Sequence, residues 1–258
     1  MGRHGSVSHP DGNNAALAFI GKQDRNKKNN KFDRQNPKSL FDRVGNNLKT
    51  NKMRKVSLIL VLSIGLGSIT YAQTINIGTQ VWMTKNLEVS TFRNGDPIPE
   101  AKTAEEWKKA GINKQPAWCY YKNDPANGAK YGKLYNWHAV NDPRGLAPKG
   151  WHVPSDADWQ QLTDYLGGWE AGGKMKSTTG WTAPNIDASN RSGFSGLPGG
   201  VRDDDGTFSD VGNYGSWWSS TEFSTGTAWN RYLYYKDGDE GAGYYSKASG
   251  FSVRCIRD

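Results

Sequence analysis

The clearest alternation of apolar and polar positions lies between residues 155 and 166, where it has the period of an α-helix. Trp159, Leu162 and Leu166 recur three or four residues apart and form one apolar face. Ser155 is a favourable N-cap, and the aspartate three residues later completes a capping box. The pattern therefore predicts a capped helix in which Trp159 anchors the core.

Most other predicted elements are short. Residues 74–82 alternate loosely and predict a strand or hairpin. A capping box at residues 103–106 predicts a short helix that Gly111 ends. Residues 133–140 are apolar and aromatic and fit either a helix or a strand. Further short strands are predicted at residues 117–121, 200–202, 216–219, 229–235 and 251–256. Short helices followed by short strands and long loops indicate an α+β fold.

The excess of basic over acidic residues is confined to the first 72 residues of the chain. Of the 33 basic and 25 acidic residues, 13 and 4 lie there, which leaves 20 basic and 21 acidic residues in the rest of the chain. The basic total therefore does not indicate a nucleic-acid partner for residues 73–258. All 11 Trp residues lie in that part, where they can build the core of one domain.

The segment from Met53 to Ala72 has the parts of a secretory signal peptide. It begins with Met-Arg-Lys, continues with an apolar or small-residue run over residues 56–69, and ends with small residues before the expected cleavage site. We therefore expect residues 73–258 to be secreted or displayed at the cell surface. The apolar run is shorter than the roughly 20 residues of a membrane-spanning helix, so we expect no stable membrane span in the mature protein.

Residues 1–52 are too polar to bury the apolar surface that would offset the entropy of ordering them. We expect this segment to be disordered. Because a signal peptide normally begins a chain, we also expect translation to start at Met53 and the upstream segment to come from a mis-assigned gene start. The alternative is a cytoplasmic tail on a membrane-anchored protein.

Several separated motifs resemble those of the Fibrobacter succinogenes major paralogous domain, and they occur in the same order. They occupy residues 81–87, 116–121, 131–137, 145–156, 217–221 and 250–258. The resemblance extends from about Ile77 onward. It implies a secreted or surface protein of bacteria, in a family that has no settled activity.

A more distant similarity concerns the fold. Residues 153–159 and 250–255 resemble a loop, helix and closing strand of the formylglycine-generating sulfatase-modifying family. This resemblance implies a C-type-lectin-like α+β fold with short helices, short antiparallel strands and long loops. That family's catalysis depends on two closely spaced cysteines, which this chain lacks, so its enzymatic residues do not transfer.

Cys119 and Cys255 are the two cysteines of the chain. In an exported protein they predict a disulfide that links the first half of the domain to its last strand. Such a bond would contribute roughly 4–5 kcal/mol in the chain-entropy model. Two separately buried thiols are the alternative, and a catalytic thiol is a third, although neither cysteine has a histidine close in sequence.

Carboxylates are concentrated at residues 203–205, and Asp203 and Asp205 are candidate calcium ligands because calcium prefers oxygen ligands on flexible loops. The spacing is not that of an EF-hand. A solvated acidic turn is the alternative. Apart from calcium, the sequence indicates no cofactor.

Aromatic residues cluster late in the chain, and we select Trp217, Trp218, Trp229 and Tyr232 as candidate ligand contacts. Neighbours on a strand point to opposite faces, so one member of a pair such as Trp217 and Trp218 could form an exposed platform for sugar rings. Alternatively, long loops cover both faces. Arg231 replaces the aspartate of the Trp-Asn-Asp motif of C-type lectins, which counts against a standard lectin site.

Known catalytic motifs are absent from the sequence, and we assign no catalytic residue. The first hypothesis is a non-catalytic module that binds a glycan or a cell-surface protein. The second is an enzyme acting on extracellular polysaccharide through carboxylates such as Asp203, Asp205 or Glu222. The third is a structural adhesive or surface component.

Overall fold

A computed structural model describes residues 73–258 of the chain. The predictions for residues 1–52 and for the signal peptide at residues 53–72 lie outside the described residues. Within the described part, no helix combines the length and the apolar character needed to cross a membrane.

The described residues form five short α-helices. They are Ala104–Ile112 (α1), Pro125–Tyr131 (α2), Trp137–Val140 (α3), Asp156–Tyr165 (α4) and Ala171–Met175 (α5). The predicted capping box of α4 is confirmed, because Ser155 and Asp158 each accept a hydrogen bond from the other's backbone N–H. Trp159 is fully buried, as expected of a core anchor.

The described residues also form twelve short strands. They are Thr74–Ile77 (β1), Gln80–Met83 (β2), Trp118–Cys119 (β3), Leu134–Asn136 (β4), Trp151–His152 (β5), Gly199–Arg202 (β6), Phe208–Val211 (β7), Tyr214–Glu222 (β8), Thr227–Tyr234 (β9), Glu240–Ser246 (β10), Gly250–Phe251 (β11) and Ile256–Arg257 (β12). They form three sheets with the strand orders β1-β2-β12-β5, β10-β9-β8 and β3-β4-β11-β6-β7. The strand pairs are antiparallel, and the mixture of helices and sheets confirms the α+β class.

Residues 250–257 join the three sheets. β11 pairs with β4 and β6, and β12 pairs with β2 and β5. Between these two strands, Ser252 donates its N–H to Ser216 O at 3.1 Å and accepts from Trp218 N–H at 3.0 Å. The predicted single strand over residues 251–256 is therefore two short strands, because the segment changes partner sheet along its length.

The centre of the domain is aromatic. The ring of Trp82 lies 4.8 Å from that of Trp159, and Phe194 lies 5.9 Å from Trp159 and 5.6 Å from Trp217. These rings pack α4 against the β1–β2 hairpin and the β8 strand, so large side chains supply much of the apolar contact of a domain rich in loops.

Residues 133–140, which fitted either a helix or a strand, contain both. Strand β4 ends at Asn136 and α3 begins directly after it. The Asn136 side chain stabilises this transition from strand to helix, since its Oδ1 accepts from Ala139 N–H and from Ala117 N–H, both at 3.0 Å. One amide thus caps α3 and holds the segment before β3.

Candidate functional site

Neither Trp217 nor Trp218 forms the exposed platform proposed for this pair. Trp217 is 1% exposed, and its indole N–H donates to Asn86 Oδ1 at 2.8 Å. Trp218 is fully buried, and its indole N–H donates to Tyr135 O at 2.8 Å. The two rings point to opposite faces of β8, as alternation requires, and each face is covered by a separate core cluster. Alternation predicted the two directions correctly, but it carried no information about what lies above each face.

The structure instead assembles four tyrosines on one face of the β8–β9–β10 sheet. They are Tyr214, Tyr232, Tyr234 and Tyr245, and we call them the tyrosine face. The rings of Tyr214 and Tyr234 stack at 4.4 Å with an interplanar angle of 24°, and the ring of Tyr232 lies 6.1 Å from that of Tyr214. Tyr214 opposes Tyr234 in the strand register, so the pair spans two strands.

Two glycines of β10 form the floor beside these rings. Gly241 opposes Tyr232, and a Cβ there would collide with the Tyr232 ring. Gly243 lies next to the rings of Tyr232 and Tyr245 and next to Asn230 Oδ1. That oxygen is buried and has no hydrogen-bond partner among the described residues. The absence of side chains at the two glycines therefore lets the Tyr232 ring pack directly against β10, beside the buried Asn230 oxygen.

The hydroxyl groups of the tyrosine face are free for a ligand. Within residues 73–258, none of the four makes a hydrogen bond to another protein group. Three of the rings are half-buried, while Tyr245 is 49% exposed. Partial burial holds the rings in place, and half-buried tyrosines with unpaired hydroxyls are common in binding sites.

The acidic β6–β7 hairpin lies beside the tyrosine face. Burial raises the pKa of Tyr214 to about 12, and the nearby Tyr234 and Asp210 also contribute. The pKa of Tyr245 is raised by burial first and then by Tyr232, Asp210 and Asp203. Asp203 and Asp210 are therefore close enough to the tyrosine face to influence the ionisation of its tyrosines.

Asp203 and Asp205 hold the turn of this hairpin. Asp205 accepts from the N–H and Oγ1 of Thr207 at 2.9 and 2.7 Å, and Asp203 accepts from Ser209 Oγ at 3.1 Å. These hydrogen bonds lower the pKa of Asp205, whereas burial raises the pKa of Asp203. Residues 73–258 contain no group of three His, Cys, Asp or Glu side chains placed to hold a metal, so calcium binding stays a prediction without a formed protein site.

The predicted disulfide between Cys119 and Cys255 is wrong. Both residues are free thiols, and they are buried in different core clusters. Burial raises the pKa of Cys119 to about 11 and that of Cys255 to about 12. Because the thiolate is the reactive form, both groups are chemically inert fillers of the core. The sequence showed the number of cysteines and their separation but not their distance in space.

Trp229 and Tyr232 lie on opposite faces of β9. The Trp229 ring meets Phe223 edge-on at 5.1 Å, and Phe223 stacks on Tyr244 at 4.1 Å with an interplanar angle of 4°. Phe223 and Tyr244 are 47% and 55% exposed. We call Phe223, Trp229 and Tyr244 the aromatic patch. The four candidates chosen from sequence thus separate into two buried core residues and one member of each of two surfaces.

Of the tyrosine face, sequence analysis selected Tyr232 but not Tyr214, Tyr234 or Tyr245. The signal that could have revealed Tyr245 is the alternation of glycine and larger residues from 240 to 244, which predicts a strand with Tyr245 on the same face as the two glycines. Tyr214 carried no such signal, because its place depends on the register with β9.

The remaining carboxylate candidate is Glu222. Its side chain is 50% exposed and pairs with Lys247 at 3.0 Å. Arg231, which replaces the lectin-type aspartate, is buried on the face opposite Tyr232 and pairs with Asp156 and, at 3.6 Å, with Glu240. Neither side chain belongs to the tyrosine face.

Comparison with known proteins identifies the family. The family model described as the Fibrobacter succinogenes major domain matches residues 75–257, which is most of the chain. No curated protein and no solved structure is detectably similar to the chain.

Proposed function

We propose that this chain, which belongs to the Fibrobacter succinogenes major domain family, is an exported, non-catalytic module that binds glycan through its tyrosine face. The observation that carries the proposal is the group of four half-buried or exposed tyrosines with free hydroxyls over a floor of two glycines.

The chemistry of a sugar matches this surface. A pyranose ring offers an apolar face of C–H groups and a rim of hydroxyls, and an aromatic ring with a polar tip can contact both. Gly241 and Gly243 let the rings of Tyr232 and Tyr245 pack close to β10, and rigid tyrosines lose little entropy on binding.

The acidic hairpin supports a hydroxyl-rich ligand rather than an anionic one. Asp203 and Asp210 add negative charge beside Tyr245, which would repel carboxylate or sulfate groups. Carboxylates accept hydrogen bonds strongly from sugar hydroxyls. We therefore propose a neutral glycan as the ligand class.

Glycan-array screening of the purified protein, with calcium and with EDTA, would identify the ligand. Calorimetric titration would then compare Tyr245→Ala and Tyr245→Phe. Loss of the ring should weaken binding roughly tenfold, which corresponds to about 1.4 kcal/mol, whereas phenylalanine keeps the stacking surface and should retain most of the affinity.

The matched control is Tyr165→Ala. Tyr165 is 66% exposed on α4, outside the tyrosine face, so its removal should leave affinity unchanged. Equal losses in both alanine variants, or no neutral glycan bound with or without calcium, would overturn the proposal. Hydrolysis of the bound polysaccharide would favour the enzymatic alternative instead.

The aromatic patch supports a second candidate function, which is adhesion to protein surfaces. Its stacked Phe223 and Tyr244 are exposed beside the half-buried Trp229. Exposed aromatic clusters of this kind are typical of contact surfaces between proteins. The double variant Phe223→Ser/Tyr244→Ser should abolish self-association in analytical ultracentrifugation if the protein is a structural adhesive, and glycan binding should persist.

Two further parts of the proposal concern fold and location. The motif similarity and the loop-rich α+β architecture support a C-type-lectin-like arrangement, which superposition of an experimental structure would test. The apolar run at residues 56–69 supports export. A mature N-terminus at Gln73 in natively purified protein is expected, whereas recovery of peptides from residues 1–52 would contradict the assignment of the start at Met53.

A further inference from the structure

A pocket lined by residues outside the tyrosine face has a buried cation at its floor. Its volume is about 320 Å³, within the range of small-molecule sites. Its floor includes Arg254 and Asn86, and its rim includes Lys85, Lys130 and Glu88. None of these residues was selected from sequence as a candidate site.

The guanidinium of Arg254 is buried without a counter-charge. The residue is 1% exposed, and within residues 73–258 no carboxylate lies within ion-pair distance of it. Arg231, by contrast, has both Asp156 and Glu240 as acidic partners. A buried charge that lacks an opposite charge is costly, so its presence at the floor of an open pocket indicates an anionic occupant.

Three hydrogen bonds hold this guanidinium in place. Its Nε and Nη2 donate to Asn86 Oδ1 at 3.0 and 2.7 Å, and its Nη1 donates to Phe194 O. The group also lies 4.1 Å from the ring centre of Phe194. A guanidinium has five N–H donors. Two therefore remain for a ligand.

The orientation of the Asn86 amide is fixed in turn. Its Oδ1 also accepts from Trp217 Nε1–H at 2.8 Å, and its Nδ2 donates to Tyr131 O at 2.8 Å. Exchange of the amide oxygen and nitrogen would break all of these bonds. The guanidinium is thus presented in one orientation before any ligand arrives, which reduces the entropy lost on binding.

The net charge of the side chains around the opening of this pocket is also positive. Lys85 and Lys130 are exposed at the rim, and Glu88 is the one acidic residue of the lining. Burial lowers the pKa of Arg254 to about 9, so the group is still protonated at neutral pH. An anion in contact with it would favour the charged form and raise this pKa.

We propose that this pocket binds the carboxylate of a small organic acid, such as a sugar acid, with Arg254 as the charged contact at its floor. A monoanion matches the single buried charge, and the planar fork of the guanidinium fits a carboxylate. The site uses different residues from the tyrosine face, so the proposal stands or fails independently of glycan binding there.

Titration of the ¹⁵N-labelled protein, followed by NMR, tests this proposal. The probes are sodium D-glucuronate and sodium acetate, with D-glucose as the neutral control and sodium sulfate at matched ionic strength. Saturable shifts of the Trp217 indole N–H and the Arg254 Nε–H are expected with both carboxylates and not with glucose. Saturation by sulfate alone, or by neither carboxylate, would overturn the proposal.

A matched pair of variants then locates the site. Ala129 is exposed on α2 and lines the pocket, so Ala129→Glu adds a negative charge near the mouth and Ala129→Gln adds the same bulk without charge. The glutamate should weaken glucuronate binding about fivefold relative to the glutamine variant. Equal affinities would contradict the proposed site. Tyr245→Ala should leave this binding unchanged, which separates it from the tyrosine face.

Discussion

Replacement of Glu240 by glutamine should stabilise the protein at neutral and higher pH but not at acidic pH. Glu240 begins β10 and is buried. Its Oε2 accepts from Thr163 Oγ1 at 3.2 Å and lies 3.6 Å from Arg231 Nη1, while its Oε1 has no hydrogen-bond partner among the described residues. Burial therefore dominates over the nearby positive charge and raises the pKa of Glu240 to about 7.

The magnitude follows from the difference between the folded and unfolded pKa values. The folded value of about 7 lies above the ordinary value of 4.5, so the folded state binds the proton more tightly. The resulting stabilisation is fully present below about pH 4.5 and is lost as the pH rises through 7. Each pKa unit corresponds to about 1.4 kcal/mol, so the loss approaches about 3 kcal/mol. Glutamine resembles the protonated acid and avoids this loss, while Arg231 keeps Asp156 as a partner.

Urea unfolding of both proteins between pH 4.5 and 8.5 measures this effect. The stability advantage of Glu240→Gln should be near zero at pH 4.5 and reach about 3 kcal/mol at pH 8.5. Glu222→Gln is the matched control, because that carboxylate is half-exposed and its surface ion pair contributes about 0–1 kcal/mol. Parallel pH profiles for wild type and Glu240→Gln, or destabilisation by the glutamine at pH 8.5, would refute the reasoning.

Three further predictions concern the core. Reductant should leave the unfolding midpoint unchanged, and Cys119 and Cys255 should resist alkylation until the protein unfolds; a midpoint that falls on reduction would instead reveal a disulfide. Arg202→Met should destabilise the protein by about 3 kcal/mol or more, because Arg202 donates to three backbone carbonyls that would lose their partner; a loss below about 1 kcal/mol in denaturant unfolding would argue against this role. Trp218→Ala should cost about 3–5 kcal/mol, whereas Trp169→Ala, at a 72% exposed position, should change the unfolding free energy by less than about 0.5 kcal/mol; similar losses in the two variants would contradict the burial assignment.

Local signals in the sequence predicted local structure well. The caps of α1 and α4 depend on residues three apart, and both are formed as expected. The hairpin of β1 and β2 also follows from short-range alternation. The α+β class follows from the order of such elements, so it could be predicted without knowledge of their packing.

The functional surfaces could not be predicted in the same way, because they depend on distant pairings. Tyr214 meets Tyr234 only through the register of β8 with β9. Asn86 and Arg254 are 168 residues apart in sequence, yet two hydrogen bonds join their side chains. Whether a strand residue such as Trp218 is exposed depends on which cluster covers its face, and periodicity carries no information on that point.

The segment at residues 250–257 has a consequence for the order of events during synthesis. Ile256 pairs with Trp82, and Phe251 pairs with Tyr135, so these contacts must wait until more than a hundred intervening residues have been made. Loops of that size close late and slowly. Before residues 250–257 emerge from the ribosome, β2 and β5 lack the strand that lies between them, so this sheet is completed only after almost all of the other described residues have been made.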